Sequence, residues 1–164
     1  MPVSTIVLGV GDYGVTKDPE VELKTFALGS CIAVILYDLR TRTAGMAHIA
    51  LPDSNINPTR AGMQPAYFAD TGIPVLLNSM HSAMGRSDKS GMLVKLAGGA
   101  NIIRSQAAFN IGARNLEAVR KGLRSWGLSP MAEDVSGSLS RTVCIHNGSG
   151  KVTVNSPGRG VWDL

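Results

Sequence analysis

Two side chains in the sequence could together carry out nucleophilic chemistry, and they lie in adjacent apolar segments. Cys31 opens the run Cys31–Tyr37, and His48 lies within Ala44–Leu51. Both runs have the composition of β-strands, and the polar segment between them, Asp38–Thr43, is typical of a hairpin turn. The midpoint between the two residues falls in that turn. We therefore expect both side chains at the same end of one hairpin, to within a residue or two of register, where directly opposed Cβ atoms lie roughly 4.5–5.5 Å apart.

A thiol beside an imidazole is a recognised nucleophile–base pair. The thiolate is the reactive form of cysteine, and a neighbouring histidine can take its proton, lower its pKa in an ion pair and later protonate a leaving amine. Gly29 and Ser30 precede Cys31 and suit a tight turn, in which backbone N–H groups could face a developing oxyanion. The sequence also permits a purely structural interpretation, because lone cysteines and histidines in apolar strands are often core residues. We interpret Cys144, between Val143 and Ile145, in that structural way.

Composition favours one folded domain over residues 1–164. Apolar residues make up 44% of the chain and charged residues 17%, which is a globular balance. The net charge of +4 is scattered, so it does not indicate nucleic-acid binding. Two cysteines are too few for a disulfide framework, and neither has metal-ligand spacing. With no signal peptide and no apolar run of about 18 residues, the expected location is the cytoplasm, without membrane insertion.

The order of predicted elements indicates an α+β fold. Strands dominate both ends of the chain, and helical periodicity occurs only over Tyr67–Met84 and Asn110–Trp126. This order lacks regular βαβ alternation, so we expect mostly antiparallel strands with the helices on one side. Ser54–Gln64 is a predicted surface loop, and residues 156–164 have the Gly and Pro content of a loose tail.

Six stretches, in one order along nearly the whole chain, resemble the CheD family of chemoreceptor glutamine deamidases. They are Thr25–Val34 (TFALGSCIAV), Gly45–Asp53 (GMAHIALPD), Tyr67–Thr71 (YFADT), Lys95–Ala100 (KLAGGA), Asn110–Asn115 (NIGARN) and Ala132–Asp134 (AED). The segment after the last stretch, Ser136–Arg141, departs from the family pattern and keeps only Gly137 of a usual Gly-Gly pair.

The resemblance implies a catalytic triad of Cys31 as nucleophile, His48 as base and Thr25 as the residue that orients the imidazole, with the oxyanion held by backbone near Gly29 and Ser30. It implies a layered α/β/β sandwich similar to the catalytic domain of cytotoxic necrotizing factor toxins, and chemistry without a metal or organic cofactor. The implied substrates are glutamines of methyl-accepting chemotaxis receptors, and glutamate methyl esters could react by the same steps.

Two other functions remain open at this point. The resemblance also implies docking to a CheC-type phosphatase, so the chain could be a non-catalytic regulatory module that keeps the fold. A thiol protease would use the same chemistry on a peptide bond, and only the resemblance favours the glutamine side chain over it.

Overall fold

The structure, a computed structural model, describes residues 2–102 and 110–164. The helices in these ranges are α1 (Pro58–Met63), α2 (Ala69–Met84) and α3 (Ile111–Ser125), with short 3-10 turns at Ser54–Ile56 and Pro65–Tyr67. The strands are β1 (Ser4–Val7), β2 (Tyr13–Thr16), β3 (Val21–Leu28), β4 (Ile32–Asp38), β5 (Thr43–Ile49), β6 (Met92–Gly98), β7 (Ala132–Val135), β8 (Arg141–His146), β9 (Lys151–Ser156) and β10 (Gly160–Asp163).

The strands form two five-stranded sheets. The outer sheet has the order β1-β3-β8-β9-β10, and the central sheet has the order β2-β5-β4-β6-β7. Most neighbours are antiparallel, but β1 pairs with β3 and β6 pairs with β7 in parallel. The predicted mixed α+β class with few helices is therefore confirmed.

Each face of the central sheet contributes to a separate hydrophobic core. Ile32 and Val34 of β4 pack in a cluster with residues of α2 and α3, while Ala33 and Ile35 pack in a second cluster with residues of the outer sheet. Side chains alternate between the two faces of a strand, so a strand with a core on each side must be apolar throughout. This explains why β4 is a continuous apolar run.

The chain passes from the outer sheet to the central sheet at two places. Leu8–Asp12 connects β1 to β2, and Gly29–Cys31 connects β3 to β4. Before the second passage, a bulge between Thr25 and Leu28 interrupts the pairing of β3 with β8, and Ala27 there has a φ of 55°. A bulge adds an unpaired residue and bends the strand. It therefore directs the chain out of the outer sheet immediately before Cys31.

The structure differs from the sequence expectations at two strands. The residues Gly11–Gly14 have the composition of a turn, but Tyr13–Thr16 pairs with β5 as an edge of the central sheet. Residues 160–163, expected in a loose tail, pair with β9 as β10. Trp162 of β10 packs against the core between the sheets and donates its indole N–H to Asp134. Both strands depend on partners distant in sequence, which local composition does not reveal.

Throughout the part of the chain that the structure describes, no helix is both long and apolar enough to cross a membrane.

We expect Asp134→Ala to destabilise the protein, because Asp134 is the partner of a buried cation. The Arg141 side chain is 4% exposed and its Nε lies 2.9 Å from Asp134 Oδ1. Removing one partner of a buried ion pair leaves a charge that water cannot reach, so the free energy of unfolding should fall by roughly 3 kcal/mol in urea titration.

The matched control is Lys151→Ala, which removes an exposed ion pair from the same C-terminal region. Lys151 and Asp163 are 59% and 67% exposed, so this change should cost less than about 0.5 kcal/mol. Equal losses from the two variants would contradict a structural role for the Asp134–Arg141 pair.

Candidate active site

A hydrogen-bond chain across the two sheets fixes the tautomer of His48. Thr25 Oγ1 lies 2.7 Å from the Leu8 carbonyl oxygen and 2.7 Å from His48 Nδ1. The carbonyl can only accept, so the single hydroxyl hydrogen of Thr25 is donated to Leu8. Nδ1 of His48 must then carry a hydrogen and donate it to Thr25 Oγ1. The other ring nitrogen, Nε2, is left with a lone pair, which is what a general base requires.

The His48 imidazole is held in the interior between the sheets. The residue is 2% exposed, and Thr25 is fully buried. The backbone of His48 is paired on the β2 side, where His48 N–H donates to Asp12 O and Gly11 N–H donates to His48 O. Burial lowers the pKa of His48 to about 4, because desolvation disfavours the imidazolium, while the Asp12 carboxylate acts in the opposite direction. The ring is therefore neutral at pH 7.

Cys31 lies on the same face as His48 but not directly across from it. The residue opposite His48 is Ala33, which is two positions from Cys31 and so within the register range expected from the sequence. Cys31 precedes Ala33 by two positions and packs with it in the core between the sheets. Such diagonal neighbours have Cα atoms roughly 7–8 Å apart. Nε2 of His48 makes no hydrogen bond to the Cys31 thiol or to any other described residue.

The thiol and the imidazole are both uncharged at rest. Cys31 is half-buried, and desolvation raises the pKa of its thiol above the ordinary value. This direction is opposite to the lowered thiol pKa expected for a resting thiolate–imidazolium pair. If a neutral thiol and a neutral imidazole reacted together, the proton would have to leave the sulfur for Nε2 during the attack. The Asp12 carboxylate would favour the imidazolium formed in that step.

Three carbonyl groups fix the backbone around Cys31. Gly29 O accepts from Ala100 N–H at 2.8 Å, and Cys31 O accepts from Gly99 N–H at 2.8 Å. Between them, Ser30 O accepts from a side-chain amide at 2.9 Å. In a planar trans peptide the C=O and the following N–H point in opposite directions. The N–H of Ser30 therefore points away from Ala100, and the N–H of Cys31 points away from the side chain that holds Ser30 O. An N–H group fixed in this way is suited to donate to an oxyanion.

A glycine permits the close approach that supports this backbone. Gly98 has a φ of 109°, and a Cβ atom there would lie 2.2 Å from the Cys31 carbonyl oxygen. A side chain at this position would displace the backbone at Cys31. Gly98 belongs to the sequence stretch Lys95–Ala100, whose backbone N–H groups hold the carbonyls of Gly29 and Cys31.

Sequence reasoning gave no role to Asn115, which is fully buried on α3 and supplies the amide at Ser30. The signal was present in the periodicity of α3. Asn115 falls on its buried face with Leu116 and Val119, where a polar residue needs a specific hydrogen-bond partner. The carbonyl of Leu8 was also missed, because a backbone contact leaves no pattern in side-chain composition. The carboxylate of Asp12 was missed because it lies near His48 only through the pairing of segments distant in sequence.

Within residues 2–102 and 110–164, His, Cys, Asp and Glu side chains never gather in a group of three that could hold a metal ion.

The fold and the site together define a class of protein. A half-buried thiol, an imidazole of fixed tautomer and oriented backbone N–H groups are the components of thiol-dependent acyl transfer, here set between the sheets of an α+β protein. A family model described as CheD chemotactic sensory transduction matches residues 50–156, which is more than half of the chain. That match begins after Thr25, Cys31 and His48, so it does not bear on their roles.

Curated relatives match over nearly the whole chain. A protein of Syntrophotalea carbinolica named probable chemoreceptor glutamine deamidase CheD is 44% identical over 162 residues, covering 99% of this chain and 100% of the relative. A Solibacter usitatus protein of the same name is 42% identical, and the alignment covers 94% of this chain and 90% of that protein. The Thermotoga maritima chemoreceptor glutamine deamidase CheD is 37% identical, with coverages of 94% and 93%. The chain belongs to the CheD family.

Among solved structures, a Neisseria meningitidis protein described as family-model DUF152 is similar, and the match covers 84% of this chain and 65% of that protein. The TM-score is 0.49 and the identity 11%.

We expect alkylation of Cys31 by iodoacetamide to accelerate steadily with pH through the neutral range. The thiolate is the reacting form, and burial places the pKa of Cys31 above the ordinary cysteine value of about 8.5. The thiolate fraction therefore keeps growing from pH 6 to pH 9. The measurement is the alkylation rate by mass spectrometry of the Cys31 peptide.

Cys144 is the internal control in the same samples. Its thiol donates to Glu22, and burial with this carboxylate raises its pKa to about 12, so it should react much more slowly. A rate for Cys31 that is already at its plateau at pH 7 would instead indicate a resting ion pair.

Thr25→Val should weaken His48 as a base, since valine keeps the shape of threonine without the hydroxyl. Nδ1 would lose its acceptor and Leu8 O its donor, and the imidazole could adopt the other tautomer. Losing such a buried hydrogen bond costs about 1–3 kcal/mol, which corresponds to roughly 10- to 100-fold slower turnover of a reaction in which His48 acts as the base. Thr25→Ser, which keeps the hydroxyl, is the matched control and should stay within about threefold of the parent. Equal activity of the valine and serine variants would remove Thr25 from the site.

Proposed function

We propose that this protein is a chemoreceptor glutamine deamidase that uses Cys31 as nucleophile, His48 as base and Thr25 as the residue orienting the imidazole. The observation that carries the proposal is the 2.7 Å contact between Thr25 Oγ1 and His48 Nδ1, which leaves Nε2 as the basic nitrogen on the face of β5 that Cys31 shares. Membership of a family whose curated relatives are named chemoreceptor glutamine deamidase supports the reaction and the substrate class.

The first half of the reaction forms a thioester. As the sulfur of Cys31 attacks the side-chain amide carbon of a glutamine, its proton passes to Nε2 of His48. The carbonyl oxygen becomes an oxyanion, stabilised by the N–H groups of Ser30 and Cys31. The imidazolium then returns the proton to the amide nitrogen, the carbon–nitrogen bond breaks, and ammonia leaves.

The second half releases glutamate. Nε2 of His48 takes a proton from water, and the oxygen attacks the thioester carbon at the same oxyanion position. When this intermediate collapses, the carbon–sulfur bond breaks and the leaving sulfur of Cys31 recovers the proton from His48. Glutamate methyl esters could be hydrolysed by the same steps, with methanol in place of ammonia.

We infer that a receptor, as a folded protein substrate, contacts the surface around the site. The candidate surface is Ser54–Gln64, which follows β5 and carries an exposed α1, including Met63 at 83% exposure. Gln64 donates its side-chain amide to Val10 O at 2.8 Å, which joins this segment to the connection next to His48. A substrate on this surface would therefore lie near the catalytic base.

A CheC-type phosphatase is proposed as a regulatory partner, on the family resemblance alone. If the chain acted only as its docking module, wild type would bind CheC without modifying receptors.

A cytoplasmic location is proposed because Cys31 and Cys144 are both free thiols. The likeness to the cytotoxic necrotizing factor domain also stays a proposal, supported by the arrangement of helices against one of two packed sheets.

The deciding experiment combines the purified protein with the cytoplasmic helical part of chemotaxis receptors. Mass spectrometry should detect the conversion of specific glutamines to glutamate, with stoichiometric ammonia release. Cys31→Ala should abolish the reaction, because without the sulfur no thioester forms. Cys144→Ala is the matched cysteine control and should retain activity close to that of the parent.

Three results would contradict the proposal. If receptors stay unmodified after incubation with the wild-type protein, the proposal of a deamidase is wrong. If receptors are instead cleaved at peptide bonds, the protein is a protease. Full activity of Cys31→Ala would exclude Cys31 as the nucleophile.

A further inference from the structure

Asn115 connects the segment carrying the nucleophile to the end of the strand carrying the base. Its side-chain Nδ2 donates to Ser30 O and to Ala50 O, each at 2.9 Å. Ser30 directly precedes Cys31, and Ala50 lies two residues after His48. One amide group on α3 thus holds the segment that precedes β4 and the segment that follows β5.

The orientation of this amide is determined by its partners. An amide nitrogen has two hydrogens, and both are directed to carbonyl oxygens that can only accept. The flipped orientation would place Oδ1 against the same two carbonyls and would lose both hydrogen bonds. In the observed orientation, Oδ1 is buried without a hydrogen-bond partner among the described residues. Leaving this acceptor unpaired costs free energy, but losing both donated hydrogen bonds would cost more. The two donated bonds therefore determine the orientation of the amide.

The contact with Ser30 acts on the peptide bond between Ser30 and Cys31. This unit is planar, so the direction of Ser30 C=O sets the direction of Cys31 N–H. Asn115 holds the carbonyl, and the N–H is directed to the opposite side. The flanking carbonyls of Gly29 and Cys31 are held by backbone N–H groups of Ala100 and Gly99. Among these three carbonyls, that of Ser30 is the one held by a side chain.

We propose that Asn115 is a positioning residue of the active site, which aims the N–H of Cys31 at the oxyanion by holding the carbonyl of Ser30. This inference deepens the proposed function and rests on its thiol chemistry. The amide does not touch the substrate. Its contribution should appear only in reactions that pass through an oxyanion, because attack at a saturated carbon develops no negative charge on a carbonyl oxygen.

Two small reagents separate these reaction types on the same sulfur. Acylation of Cys31 by p-nitrophenyl acetate forms a tetrahedral oxyanion and expels p-nitrophenolate. Alkylation by iodoacetamide displaces iodide from a methylene carbon and forms none. The ratio of the two second-order rates, measured in a Cys144→Ala background, therefore reports the oxyanion donors independently of any receptor.

In Asn115→Ala, acylation should slow by about 10- to 100-fold, below the full loss of an oxyanion donor, while alkylation changes less than about threefold. Receptor deamidation should show the same loss in kcat with KM nearly unchanged, because the effect is confined to the transition state. Asn115→Ser, which keeps one donor at smaller volume, should lie between the parent and the alanine variant.

Asn147→Ala is the matched control for stability. Asn147 is also fully buried, donates its side-chain amide to a backbone carbonyl, that of Asp18, and has an unpartnered Oδ1. It lies in the outer sheet's β8–β9 turn. Its loss should lower the urea midpoint, as the loss of Asn115 should, while leaving the ratio of acylation to alkylation unchanged.

The outcomes are distinct. Equal slowing of both reagents in Asn115→Ala, or of neither, would overturn the proposal, and so would failure of both Asn115 variants to fold when Asn147→Ala folds. If wild type is acylated but leaves receptors unmodified, the proposed function fails while the test of Asn115 still stands.

Discussion

The site depends on one hydroxyl group held between two sheets. Thr25 lies on β3 of the outer sheet and His48 on β5 of the central sheet, and their hydrogen bond is buried. Because the Leu8 carbonyl takes the hydroxyl hydrogen, the threonine can only accept from the imidazole. A neutral hydroxyl can therefore do the orienting work often done by a carboxylate. It fixes the tautomer without placing a buried charge beside the imidazole.

The same burial determines how the thiol and the imidazole are charged. Desolvation raises the pKa of Cys31 and lowers that of His48, and both effects favour uncharged groups. A neutral thiol reacts slowly with electrophiles. In the proposed mechanism charge would appear only transiently, near Asp12, whose carboxylate favours the imidazolium. The resting site is thus less reactive than a preformed ion pair would be.

Several sequence stretches that carry no catalytic side chain gain a physical explanation from the fold. Lys95–Ala100 supplies two N–H groups and a glycine that lies against the Cys31 carbonyl. Asn110–Asn115 supplies the amide at Ser30, and Gly112 within it approaches so closely that a Cβ atom would lie 2.5 Å from the carbonyl oxygens of Gly99 and Ala100. Both stretches therefore support the backbone around Cys31.

The sequence by itself determined that Cys31 and His48 lie at the same end of one hairpin and that the fold is α+β. These features follow from local composition and from short separations along the chain. Only the tertiary structure decided that Ala33 opposes His48, that residues 13–16 and 160–163 are strands, and that Asn115 holds Ser30. Each of these is a hydrogen-bonded arrangement fixed by packing. Register, edge pairing and backbone contacts between distant segments leave little trace in the order of side chains.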